Sequence, residues 1–113
     1  MILLTECNFQ NTIKHGLVLV DFYAKWCPPC KILLRNLSAL EKKIVENKIR
    51  FAKVDIEASD LDEVHNVDNI PTMILFKDGV EINRMEGCVA SRGIKKFITN
   101  GLEKSKPIRG VTS

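Results

Sequence analysis

Cys27 and Cys30 are separated by two residues in Trp26-Cys27-Pro28-Pro29-Cys30, the one place in the 113 residues where two of the four cysteines are close together. Two thiols at that spacing can form and break a disulfide, or they can supply half of a metal site. Zinc takes four ligands, and the remaining donors, Cys7, Cys88, His15 and His65, form no second paired motif. The sequence therefore favours thiol chemistry and no metal. A purely structural bridge would close too small a loop to contribute much stability.

The thiolate is the form that attacks a disulfide, so the pair needs a setting that favours it. A strand-to-helix junction is such a setting. Leu17 to Tyr23 is a nearly continuous apolar run, the pattern of a strand covered on both faces, and Asp21 stands inside it. After the cysteines, Leu33, Leu37, Leu40 and Ile44 recur at helical spacing, with Leu34 and Val45 widening the stripe. This predicts a long amphipathic helix ending at Asn47 or Lys48. Cys27 then caps the helix and Cys30 lies in its first turn, where the dipole and the free N–H groups favour a thiolate at Cys27. Cys30, the more buried of the two, can attack the mixed disulfide that results. Pro28 and Pro29 are tolerated in a first turn, but they remove two donors and leave the amide of Cys30 as the nearest one to the sulfur.

The other elements follow from similar patterns. Met1 to Leu4 reads as a short strand. Thr5 is expected to cap a helix running to about His15, with Phe9 and Ile13 on one face and Gly16 as its stop. Ile49 to Ile56 reads as a strand, and Ser59 caps a short acidic helix through about His65. Met73 to Phe76 is a buried strand, Asp78-Gly79 a hairpin turn, and Val80 to Gly87 an antiparallel return. A last helix begins near Ser91 with Ile94, Phe97, Ile98 and Leu102 as its apolar stripe, and Pro107 and Gly110 end regular structure. Strands alternating with helices up to a single hairpin imply an α/β domain, with a central mixed sheet and helices on both faces.

Composition narrows the function classes. The chain is 45% hydrophobic, enough for one core, and its net charge is +3. Arg92, Lys95, Lys96, Lys104, Lys106 and Arg109 crowd the last segment, against an acidic stretch of Asp55, Glu57, Asp60, Asp62, Glu63 and Asp68. These read as two solvated faces, with no nucleic-acid or membrane site. Met1 to Leu4 lacks the pattern of a leader, and no apolar run approaches the roughly 18 residues of a membrane span. The expectation is a cytoplasmic monomer. Cys7 is expected to pack under the first helix and Cys88 to be a small buried residue, with an exposed, oxidisable thiol as the other reading of Cys88. His15 and His65 are expected at the surface.

Val18-Leu19-Val20-Asp21-Phe22-Tyr23-Ala24-Lys25-Trp26-Cys27-Pro28-Pro29-Cys30-Lys31 closely resembles the active-site strand and helix start of thioredoxins. Ile70-Pro71-Thr72 matches a second motif of that family, and Phe51 to Asp55, Phe76-Lys77-Asp78-Gly79 and Gly87 extend the match. It covers residues 1–104, leaving 105–113 as a flexible tail. The resemblance implies a thioredoxin fold of about five strands and about four helices, and a thiol-disulfide oxidoreductase that reduces protein disulfides. It implies Cys27 as nucleophile, Cys30 as resolving cysteine and a redox-active Cys27–Cys30 disulfide, with Trp26 as a flat wall beside them. Asp21 matches the family's buried carboxylate, which helps move the proton of Cys30. Burial should raise its pKa and Lys53 should oppose the rise, although Lys53 reads equally well as a surface lysine. Pro71 matches a cis-proline, Ile70 offers its backbone to an extended substrate, and Gly87 leaves room there. No bound cofactor is implied, and the electron donor would be a flavin-dependent thioredoxin reductase.

Three departures qualify the match. Pro28 stands where thioredoxins usually have glycine, Arg35 stands where the family has a kink proline in the long helix, and Tyr23 replaces a common tryptophan. Cys-Pro-Pro-Cys is similar instead to tryparedoxins and to exported thioredoxin-like reductases, so an exported reductase is one alternative. A thioredoxin-fold binding module with secondary redox activity is the other.

Overall fold

Asp78 and Gly79 both adopt left-handed backbone, at φ 48° and 86°, which only a turn residue and a glycine accept readily. They join β4 (Thr72–Lys77) to β5 (Val80–Glu86) as an antiparallel hairpin at one side of a five-stranded sheet. The computed structural model describes residues 1–44 and 48–106. Its other strands are β1 (Ile2–Leu3), β2 (Leu17–Tyr23) and β3 (Ile49–Asp55), and the spatial order is β1-β3-β2-β4-β5. β3 runs parallel to β1 and β2, while β4 is antiparallel to β2. Four helices, α1 (Phe9–Ile13), α2 (Pro28–Lys43), α3 (Leu61–Val64) and α4 (Ser91–Ser105), complete the mixed architecture expected from the alternation of patterns. None of the described helices is long and apolar enough to cross a membrane.

The alternation along β2 divides the core into two layers. Val18, Val20 and Phe22 pack with Phe9 and Ile13 of α1 and with Leu61 of α3. Leu19 packs on the opposite face with Leu33, Leu37 and Leu40 of α2 and with Ile94 and Phe97 of α4. The continuous apolar run of β2 is thus explained by helices on both faces. Gly101 lets α4 approach the sheet closely, because a Cβ there would lie 2.7 Å from Leu75 Cδ2. In the same contact Asn83 donates its side-chain amide to the Phe97 carbonyl at 3.0 Å.

Several local expectations need correction. Thr5 does not cap α1: its hydroxyl accepts from the Cys7 N–H while its own N–H donates to Asn8 Oδ1 at 2.7 Å. Those bonds close a turn ahead of the helix, so α1 starts later, with Asn8 at its N-cap, and ends at Ile13. α2 stops at Lys43 and not at Asn47 or Lys48, because Ile44 leaves the helical region at ψ 77° and Lys48 is left-handed. Val45 lies outside the described residues. His65, expected at the surface, is half-buried: its ring packs 4.7 Å from Phe9 and 5.7 Å from Phe76 between ring centroids. His15 is exposed as expected. Cys7 and Cys88 are both exposed, one in the turn before α1 and one in the loop after β5, where neither has a helix or sheet face to enter. Of the expected tail, Ser105 ends α4 and Lys106 follows as its C-cap; residues 107–113, with Pro107 and Gly110, lie outside the described residues.

Candidate active site

Cys27 occupies the N-cap of α2 in extended backbone, with Pro28 and Pro29 as the first two helical residues. No helical hydrogen bond is lost there, because first-turn N–H groups have no partner inside the helix. The Cys30 N–H points back to the Cys27 Sγ at 3.3 Å, the one donor left after the two prolines. The two cysteines are joined as a disulfide with their Cα atoms 5.2 Å apart. Cys30 is fully buried and Cys27 nearly so, while Pro28 and Pro29 are exposed and Trp26 keeps 64% of its surface open to solvent.

Beneath the disulfide lies a small cluster in which Cys27 and Cys30 pack with Tyr23 and Ala24, joined by Leu34, Ile56 and Ile70. The Ile70–Pro71 peptide is cis, and the Pro71 carbonyl accepts from the Gly87 N–H at 2.8 Å. Gly87 is left-handed at φ 96°, so glycine suits this position on conformational grounds. Ile70, far in sequence from the cysteines, packs against their cluster, and Pro71 and Gly87 are tied to it through the cis peptide and this hydrogen bond. Cys88 follows as an exposed thiol.

Asp21 lies on the α2 face of the sheet. Leu19, two residues before it, touches the core stripe of α2, and Tyr23, two residues after it, touches the disulfide. Period-two alternation places Asp21 between them. Its side chain is fully buried, and neither carboxylate oxygen has a hydrogen-bond partner. Burial pushes its pKa from 3.8 up to about 8, and the positive charge of Lys53 opposes that rise. Lys53 is paired with Asp21 in the parallel β2–β3 register and is half-buried. It is therefore not the plain surface lysine of one sequence reading. Its ammonium lies 5.7 Å from the centroid of the Tyr23 ring.

Tyr23 and Asp55 are residues whose importance the sequence understated. Tyr23 is opposite Asp55 in the β2–β3 register, and its phenol is pushed up by burial and by the charges of Asp55 and Asp21. Asp55 is 8% exposed; it accepts from the Glu57 N–H at 3.0 Å and lies 4.0 Å from the Lys25 ammonium. The spacing of Asp21 and Tyr23, two apart on one strand, was the available clue to their common face.

Comparison with known proteins agrees with this geometry. A family model described as thioredoxin matches residues 1–100. A thioredoxin of Chlamydia trachomatis is 43% identical over 93 residues, covering 81% of this chain and 89% of the relative. One from Chlamydia muridarum is 42% identical over 98 residues, covering 86% and 94%. The X-ray structure of Fasciola hepatica thioredoxin superposes with a TM-score of 0.79 at 32% identity, covering 89% of this chain and 99% of that one. With a buried cysteine pair at a helix N-terminus, joined as a redox-active disulfide suited to dithiol-disulfide exchange, the chain belongs to the thioredoxin family.

Proposed function

We propose that this protein is a reductant of protein disulfides, with Cys27 as nucleophile, Cys30 as resolving cysteine and Asp21 as the proton acceptor for Cys30. In the reduced protein the Cys27 thiolate attacks one sulfur of a substrate disulfide, forming a mixed disulfide and expelling the first substrate thiolate. Cys30 then gives its proton to the Asp21 carboxylate and attacks the Cys27 sulfur. The Cys27–Cys30 bond forms, the bond to substrate breaks, and two electrons have passed to the substrate. A flavin-dependent thioredoxin reductase is the proposed source of the two electrons that reopen the disulfide.

The observation that carries this reading is the burial of an unpartnered Asp21 on the sheet face that α2 covers, with Cys30 at the N-terminal end of that helix. A carboxyl raised by burial to a pKa of about 8 is a far stronger base than an ordinary carboxylate, as a proton acceptor for a thiol must be. At neutral pH a minority of molecules carries the ionised form, and that fraction does the work. Trp26, Ile70, Pro71 and Gly87 are the proposed substrate-contacting wall around the sulfurs, with Pro28 and Pro29 at its helical edge. The exposed thiols of Cys7 and Cys88 support a reducing compartment, and we assign the protein to the cytoplasm on that ground.

Reduction of insulin disulfides with dithiothreitol as donor tests the core of this reading. The native protein should accelerate precipitation of the insulin chains, and a Cys27→Ser, Cys30→Ser protein should not. Retention of the native rate by that variant would remove the assignment. Replacing dithiothreitol by a flavin-dependent thioredoxin reductase and its nicotinamide donor tests the proposed electron source.

A further inference from the structure

Lys53 has two possible partners on the α2 face of the sheet, and it contacts only one of them. Asp21 is its neighbour in the β2–β3 register, yet no hydrogen bond reaches either oxygen of Asp21. The ammonium instead lies over the ring of Tyr23. Asp55, the other carboxylate on this face, is already engaged by the Glu57 N–H and the Lys25 ammonium. Among the described residues Lys53 is the one charge that acts on Asp21, and Met73, the register partner of Asp21 on β4, is uncharged.

We propose that Lys53 is a two-position cation, resting on the Tyr23 ring while Asp21 holds its proton and moving onto the Asp21 carboxylate when the proton leaves. Tyr23 is then a positioning residue: by holding the cation in the protonated state, it opposes proton loss from Asp21 and keeps the carboxylate a strong enough base for Cys30. The physical comparison is between two attractions. A neutral carboxylic acid offers the ammonium little, so the negative face of the ring prevails. An ionised carboxylate in a poorly solvated site attracts the ammonium more strongly than the ring does. The only chemical change is the loss of one proton from Asp21; the movement of Lys53 follows it. The value of this exchange for catalysis rests on Asp21 being the proton acceptor proposed above.

The test follows the ionisation of Asp21 through its side-chain carboxyl ¹³C resonance in the full-length oxidised protein. Tyr23→Leu should lower the midpoint by roughly half to one pH unit, the scale of a partly desolvated cation–π contact. Tyr23→Phe, which keeps the ring face, should leave the midpoint near its native value. Lys53→Met should raise it, and on that background Tyr23→Leu should change it little. A midpoint that is unchanged or raised in Tyr23→Leu overturns the proposal. So does a fall of equal size without Lys53, because that result assigns the effect to water entering the site.

A measurement on the native protein covers the case of a variant that fails to fold. The ε-CH₂ protons of Lys53 should be shifted upfield by the ring below the Asp21 midpoint and should relax towards ordinary values with the same midpoint. Resonances that do not follow Asp21 overturn the exchange. Should Asp21→Asn resolve the mixed disulfide at the native rate, the proton-acceptor role fails, while the movement of Lys53 is still judged by these titrations.

Discussion

The backbone N–H of Cys30 donates to the Sγ of Cys27 at 3.3 Å, and in this helix start it is the first amide able to do so. The two prolines between them leave one hydrogen bond where an ordinary first turn could offer more.

That arrangement predicts a weakly stabilised thiolate. Pro28→Gly restores an N–H at the head of the helix and should lower the Cys27 thiol pKa by on the order of half a unit. The rate of alkylation by iodoacetamide against pH measures it in the reduced protein. An unchanged or raised pKa contradicts the argument. The same substitution should cost about 1 kcal/mol of stability through the added freedom of the unfolded chain.

Asp21 should be a liability for folding. Its pKa is about 8 in the folded protein and near 3.8 when unfolded, so the unfolded state releases its proton first as pH rises. Stability contributed by the protonated group is complete below pH 3.8 and is lost progressively up to about pH 8. Asp21→Asn removes this dependence. The variant should match the native protein near pH 3.5 and exceed its stability by several kcal/mol at pH 8.5 in urea unfolding. Its exchange activity should fall by about a hundredfold at neutral pH, the lower side of what general-base assistance supplies.

His65 should produce the opposite slope. Burial lowers its pKa, the Arg84 charge acts in the same direction, and Glu81 opposes them. Its Nε2 is buried without a hydrogen-bond partner, among rings that solvate a cation poorly. The unfolded state therefore takes up a proton first as pH falls through 6.5, and stability declines from there towards the lower folded-state pKa. His65→Phe, similar in shape, should be stabilised relative to the native protein as pH drops from 7 to 5. Thermal unfolding at those two pH values checks it, and a constant difference between the proteins contradicts it.

Gly101 should resist enlargement despite its place inside a helix. The gain in helix propensity from Gly101→Ala is about 1 kcal/mol, and overpacking costs typically 1–3 kcal/mol. With Leu75 Cδ2 at 2.7 Å and Asn83 Cβ at 3.0 Å from the added carbon, the cost should prevail. We expect a net loss of about 1 kcal/mol in denaturant unfolding. A stabilised variant would show that Leu75 moves aside freely.

Much of this molecule was legible before folding was considered. The continuous run at Leu17–Tyr23, the stripe through Leu33, Leu37 and Leu40, and the Asp78-Gly79 turn each express a local rule of period or backbone preference. Such rules operate within a few residues, so β2, α2 and the hairpin stand where the patterns put them. Cys27 at the N-cap and Cys30 as its donor also follow from local geometry. Boundaries were less legible: Thr5 and Asn8 satisfied each other and delayed α1, and Ile44 left the helix early.

What the chain alone could not decide depends on residues distant in sequence. His65 is polar by type, and only the meeting of Phe9 and Phe76 against its ring leaves it half-buried. Cys7 and Cys88 are apolar by tendency, and only their places in a turn and a loop leave them exposed. The link from Asp21 to Lys53 and on to Tyr23 needs the parallel register of β2 on β3, which pairs strands separated by a helix. Sequence determined that a cysteine pair would head a helix beside a buried acid. The tertiary structure decided which charges surround that acid, because electrostatic interaction depends on distance through the folded protein and its local solvation.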